Sequence, residues 1–146
     1  VGIWAFTQPV KALEIDEVES VAEMGLRFVD GVLGSVHLSY IQRPHTHQLE
    51  IIGTEGTIYW DYVQSTLKIY QAEADAWTDF PIPENYERNV MFLDQMEHFI
   101  RVVRGTEKPI CTLEDGIWAQ RLANGALESA ALGQIISWGN HKPSQG

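Results

Sequence analysis

The hydrophobic period changes once along this chain, and that change sets the fold class. Between Val21 and Phe28, the residues Ala22, Met24, Leu26 and Phe28 alternate with Val21, Glu23, Gly25 and Arg27. A period of two turns one set toward a core and the other outward, which predicts a strand. From Asn89 onward, Phe92, Met96, Phe99, Ile100 and Val103 recur at spacings of three and four, the stripe of an amphipathic helix. A second helical run carries Ile117, Leu122, Ala123, Ala126, Leu127, Ala130 and Ala131. Its small residues allow close approach to a neighbouring surface. Strands come first and helices follow, which predicts an α+β fold: an open, mainly antiparallel sheet with two long helices on one face.

Local signals divide the strand-rich part. Val1 to Phe6 reads as an opening strand, and Val10 to Ile15 as another after Gln8-Pro9. Asp30-Gly31 is a hairpin turn that accepts positive φ. The return strand runs from Val32 to about Ile41, with Val36, Leu38 and Tyr40 on one face and Ser35, His37 and Ser39 on the other. Leu49 to Ile52, Thr57 to Trp60 and Thr66 to Tyr70 continue the meander, the first two joined by Gly53-Thr54-Glu55-Gly56. Gln71 to Arg88 contains Pro81 and Pro83 and reads as an irregular crossing loop. Asn89 is the expected cap of the first helix and Gly105 its end. Thr112 and Asp115 have the spacing of a capping box for the second. That helix runs to about Leu132, is ended by Gly133, and leads to a last strand over Gln134 to Trp138.

The bulk numbers narrow the function classes. A length of 146 residues fits one domain with a real core, expected over 1–140 with a tail at 141–146. A net charge of -10 argues against nucleic acid, which requires clustered Lys and Arg. No apolar run has the length of a membrane span, and Val1-Gly2-Ile3-Trp4 lacks the basic start and small-residue cleavage site of a secretory signal, so a cytoplasmic protein without membrane partners is expected. Cys111 is the single cysteine. It lies in the apolar phrase Pro109-Ile110-Cys111 and is expected to be a buried, inert thiol. Val1 opens directly into a strand-like phrase without Met, which suggests a domain from a longer polypeptide.

The chemistry-bearing residues gather in LSYIQRPHTHQLEIIGTEGTIYWD, from Leu38 to Asp61. Pro44 interrupts any regular central strand there, and the resulting loop carries Arg43, His45 and His47. His45 and His47 are two apart, so extended backbone projects both to one side. Two readings stand: a polar wall for a sugar or phosphate, or a solvated loop. A metal site at this pair lacks a third ligand nearby. His37 reads as a sheet-face or interface residue, His98 as a packed or surface helix residue, and His141 as part of the tail. Glu114-Asp115 sits at a helix start, where the dipole explains it; Asp16-Glu17 is the other acidic pair. Trp60 and Trp118 fit a core, while the loop from Ala76 to Asn89, with Trp77, Tyr86 and Asn89, could overhang a pocket. No G-x-G-x-x-G, P-loop or G-x-S-x-G motif occurs.

Four phrases run in one order through most of the chain: GLRFVDGVLGSVHLSY, LEIIGTEGTIYWD, NVMFLDQMEHFIRVVRG and CTLEDGIWAQRLANGALESAALGQII. In these the chain resembles the C-terminal domain of the Gfo/Idh/MocA family of NAD(P)-dependent sugar oxidoreductases. The resemblance implies a dihydrodipicolinate-reductase-like C-terminal domain that lines a substrate pocket and builds homo-oligomers through its sheet face. It implies a Rossmann domain before Val1 that holds NAD or NADP in the parent enzyme, with no cofactor bound by this chain alone. The family's catalytic Lys in an E-K-P phrase, and its D-x-x-x-H pair, are also expected before Val1. Glu107-Lys108-Pro109 lies between the two helices, the wrong place, so no catalytic residue carries over and the chain alone is expected to be inactive. The loop before Glu50-Ile51-Ile52-Gly53-Thr54-Glu55-Gly56 is similar in position to the loop that reaches the substrate in the family's sugar and inositol dehydrogenases. That makes Arg43, His45 and His47 candidate substrate-binding residues for a sugar, inositol or nucleotide-sugar hydroxyl. The rival reading is a non-catalytic binding or assembly module that uses the open sheet face.

Overall fold

The computed structural model describes residues 1–9 and 19–139. In chain order these form β1 (Gly2–Gln8), β2 (Val21–Arg27), β3 (Leu33–Ser39), β4 (Gln48–Gly53), β5 (Gly56–Asp61), β6 (Thr66–Gln71), β7 (Ala76–Asp79), α1 (Arg88–Val103), α2 (Leu113–Leu132) and β8 (Ile136–Ser137). The α+β class is as the change of period predicts. All strand pairings are antiparallel, and the strands divide into two four-stranded sheets, ordered β3-β2-β1-β8 and β4-β5-β6-β7. The division falls at the loop containing Pro44. The chain forms two compact units, Val1–Ile41 with Ile110–Gly146, and Gln42–Pro109. The strand expected at Val10 to Ile15, the pair Asp16-Glu17 and His141 lie outside the described residues.

In the first unit, α2 packs on β1 and β8. Ile3, Ala5 and Ala126 are buried, with Met24, Leu26, Ile136 and Trp138 packed around them. Ile3 and Ala5 are two apart and oppose Leu26 and Met24 across the β1–β2 ladder, so the inward set shares one face. Burying a side chain such as Ile3 contributes about 1.5–3 kcal/mol. Gly125 permits the closest approach of α2, because a Cβ there would run into the Trp138 indole and press on Cγ2 of Ile3. The Thr112–Asp115 capping box forms as predicted: the Asp115 N–H donates to the Thr112 hydroxyl, and the Thr112 N–H donates to the Asp115 carboxylate at 2.8 Å. Gly133 ends the helix with φ 62°, a conformation unfavourable for residues with a Cβ.

β8 pairs with β1 only at Gly2 and Ile3. Further along the same edge, the Ala5 N–H donates to the Ser129 hydroxyl at 3.0 Å, and that hydroxyl donates to the Gln134 carbonyl at 2.6 Å. The opposite face of this sheet carries Trp4 and Phe6, both exposed, with ring centroids 4.1 Å apart in an edge-on arrangement. Glu23 and His37 oppose each other on this face, 2.5 Å apart.

The second unit is a four-stranded meander followed by α1. The register places Leu49, Ile51, Ile58, Trp60, Leu67 and Ile69 on one face and Glu50, Tyr59, Lys68, Tyr70 and Trp77 on the other. The Lys68 ammonium lies 5.1 Å over Tyr59 and 4.7 Å over Trp77, a pair of cation–π contacts. Gly56 is required at the β4–β5 turn, because a Cβ would strike the Tyr70 carbonyl.

Four expectations are corrected. β7 lies inside the stretch read as an irregular loop; it is four residues long, and its pairing with β6 sets Trp77 beside Tyr70 at 5.4 Å. Asn89 is not the cap of α1, which begins at Arg88 with Glu87 in extended backbone at the N-cap and no side-chain cap. Cys111 is exposed, because the short link between α1 and α2 leaves it outside any core, as it does the neighbouring Ile110. Trp60 and Trp118, expected in a core, are half-buried.

Candidate functional site

The site is built from a turn outward. β5 ends at Asp61, whose side chain folds back on the turn that follows. Its carboxylate accepts the Gln64 N–H at 2.8 Å, the Gln48 side-chain amide at 2.7 Å and the Tyr59 hydroxyl at 3.4 Å. Asp61 is 1% exposed. The Gln64 N–H first, and the Gln48 amide second, hold its carboxyl below the ordinary carboxylate value, because donors stabilise the charged form. Burial, and then the Asp61 charge, raise the Tyr59 hydroxyl. The fixed turn presents Tyr62 and Val63 beside Trp60 on one wall of an open cleft of about 640 Å³. Phe80, Pro81, Ile82 and Pro83 add a second wall, and Tyr86, Arg88 and Met91 a third. The cleft lies wholly within the second unit. Its size is that of a small-molecule site.

The loop residues divide. His45 lines the cleft. His47 stands behind it: its ring meets Trp60 edge-on at 4.9 Å and Tyr62 at 5.6 Å, and its carbonyl accepts the Tyr62 N–H at 2.9 Å. His47 therefore props the aromatic wall. Arg43 is exposed on the same loop and does not line the cleft. Tyr86, from the segment expected to overhang a pocket, is on the lining, whereas Trp77 sits on the opposite face of the sheet. Arg88, at the first position of α1, escapes a reading of the sequence, since nothing local separates it from any surface arginine.

Aromatic rings with a few polar groups suit a ligand that has both a C–H face and hydroxyls. Among the described residues, no group of three or more His, Cys, Asp or Glu side chains is placed to hold a metal ion. No helix among them is long and apolar enough to cross a membrane.

Comparison with known proteins places this geometry. The family profile described as "Oxidoreductase family, C-terminal alpha/beta domain", that of Gfo/Idh/MocA, matches residues 7–137. The chain belongs to this family. It is 25% identical over 122 residues to the 1,5-anhydro-D-fructose reductase of Ensifer adhaerens, an alignment covering 80% of this chain and 35% of that protein. Levoglucosan dehydrogenase, solved with NADH and levoglucosan, superposes with a TM-score of 0.81 at 18% identity, covering 96% of this chain and 45% of that one. The WlbA dehydrogenase of Bordetella pertussis, solved with NADH and UDP-GlcNAcA, gives a TM-score of 0.69 at 20% identity, covering 96% and 39%. The chain thus spans less than half the length of these relatives.

Proposed function

We propose that this chain is the substrate-binding and oligomerisation domain of an NAD(P)-dependent oxidoreductase that acts on a sugar, inositol or nucleotide-sugar hydroxyl. The observation that carries the proposal is that the loop before Glu50 meets an aromatic cleft: His45 lines it and His47 braces its wall. Arg43, exposed on the same loop but off the cleft lining, is the third proposed substrate contact. The family match over residues 7–137 supports the role, as do relatives whose structures hold a sugar or sugar nucleotide with NADH. In the intact enzyme a hydride passes from a substrate C–H to the nicotinamide. NAD or NADP belongs to the other part of that enzyme, and this chain alone binds neither and turns nothing over. The open sheet face with Trp4 and Phe6 supports assembly of copies of the chain there. A lone cysteine suits the reducing cytoplasm.

Melting the 146-residue chain with and without saturating NAD, NADH and NADP tests the division of labour. No shift of the melting temperature is expected. A rise of several degrees with any of the three would overturn it, because a ligand that binds the folded state must stabilise it.

A further inference from the structure

The charged groups on the cleft are engaged to different degrees. His45 and Arg88 are its only cationic or cation-forming lining groups, and Asp61 is its only carboxylate among the described residues. Asp61 keeps its charge but is turned toward its own turn, accepting hydrogen bonds from Gln48, Tyr59 and Gln64. Arg88 makes no ion pair among the described residues; its recorded contact is over the Phe92 ring, 5.8 Å from the centroid. Arg101 differs, being held by both Glu97 and Glu107. The first turn of α1 carries no acidic residue, and Glu87 at its N-cap makes no recorded ion pair with Arg88. In a chain of net charge -10, a guanidinium left free on the rim of an aromatic cleft is a selective feature. A guanidinium matches a carboxylate in a fork of two parallel hydrogen bonds, which an ammonium cannot reproduce. Trp60, Tyr62, Phe80 and Tyr86 add aromatic surface to the same lining, suited to an apolar group.

We infer that the cleft takes an anionic glycoside: a sugar bearing a carboxylate, joined to an apolar group. The carboxylate meets Arg88 and His45, and the apolar group lies along the aromatic walls. The inference rests on the reading of this chain as a sugar-binding domain and adds the charge and the apolar extension of the ligand.

Isothermal titration of the full chain with phenyl β-D-glucuronide and with its neutral counterpart, phenyl β-D-glucoside, tests it. The glucuronide is expected to bind about tenfold more tightly, the range of one charge-assisted hydrogen-bonded pair. Arg88→Gln is expected to remove most of that preference, and Arg88→Lys to restore part of it. Circular dichroism establishes that each variant is folded, and the wild-type preference is decisive by itself. Equal affinities for the two glycosides, or a preference that survives Arg88→Gln, would overturn the inference while leaving the sugar-site reading intact. Failure of both glycosides to bind would remove the two together.

Discussion

At Ser129 one hydroxyl completes two incomplete parts of the first unit. It accepts from the Ala5 N–H, which β8 is too short to pair, and donates to the Gln134 carbonyl beyond the end of α2. Ser129 is 0% exposed, so removal of its oxygen strands a buried donor. Ser129→Ala is expected to lower stability by about 1–3 kcal/mol, read from urea unfolding, with faster exchange of the Ala5 amide. A loss within the roughly 0.5 kcal/mol typical of surface substitutions would contradict this role. Asp61 sets a different limit, on pH. Its folded-state value lies below the ordinary 3.8, chiefly through the Gln64 N–H. Glu107, bonded first by Arg101, and Asp115, bonded first by Thr112, shift the same way. The folded chain therefore binds fewer protons than the unfolded chain in the window between the lowered and the ordinary values. Stability from these groups is complete above that window and is lost as the pH falls through it. Asp61→Asn is expected to flatten the acid limb of a stability-versus-pH curve and to weaken the chain at neutral pH. An unchanged acid limb would contradict the assigned donors.

Among the elements, those closed by local chemistry were legible in the sequence. Thr112 and Asp115 announce α2 because their side chains cap the backbone within one turn, and Gly133 ends it because glycine adopts that φ without a Cβ penalty. Strands with clear alternation, such as β2, were readable for the same reason. β7 was not, since four residues show no period and its existence depends on a partner, β6, reached through pairing. The start of α1 was misplaced because Glu87 acts through extended backbone without a side-chain bond. The outward face of the first sheet carries a prediction at this scale. Trp4 and Phe6 are 39% and 60% exposed beside the Glu23–His37 pair, and an apolar face of this kind marks an interface. Phe6 faces away from the α2 side, so Phe6→Glu is expected to leave the fold intact and to shift the chain to a smaller species in size-exclusion chromatography with light scattering. A wild-type chain that is monomeric at all concentrations, or a variant of unchanged size, would contradict assembly through this face.

Over the whole molecule, half of the candidate site was visible beforehand. The loop with Arg43, His45 and His47, and Tyr86 further on, could be named because polar and aromatic residues interrupt strand patterns there. The cleft itself could not. Its lining joins His45, Trp60, Phe80 and Arg88, which the β-meander and the start of α1 bring together and which no local pattern links. Arg43, only two residues before His45, does not line the cleft. The most direct test follows the backbone amides of the 15N-labelled chain by NMR during titration with phenyl β-D-glucoside. Shift changes gathered on His45, on the turn from Tyr62 to Ser65, and on Phe80 to Met91 are expected. Changes gathered instead on the first unit, or none at saturating sugar, would contradict the placement of the binding site.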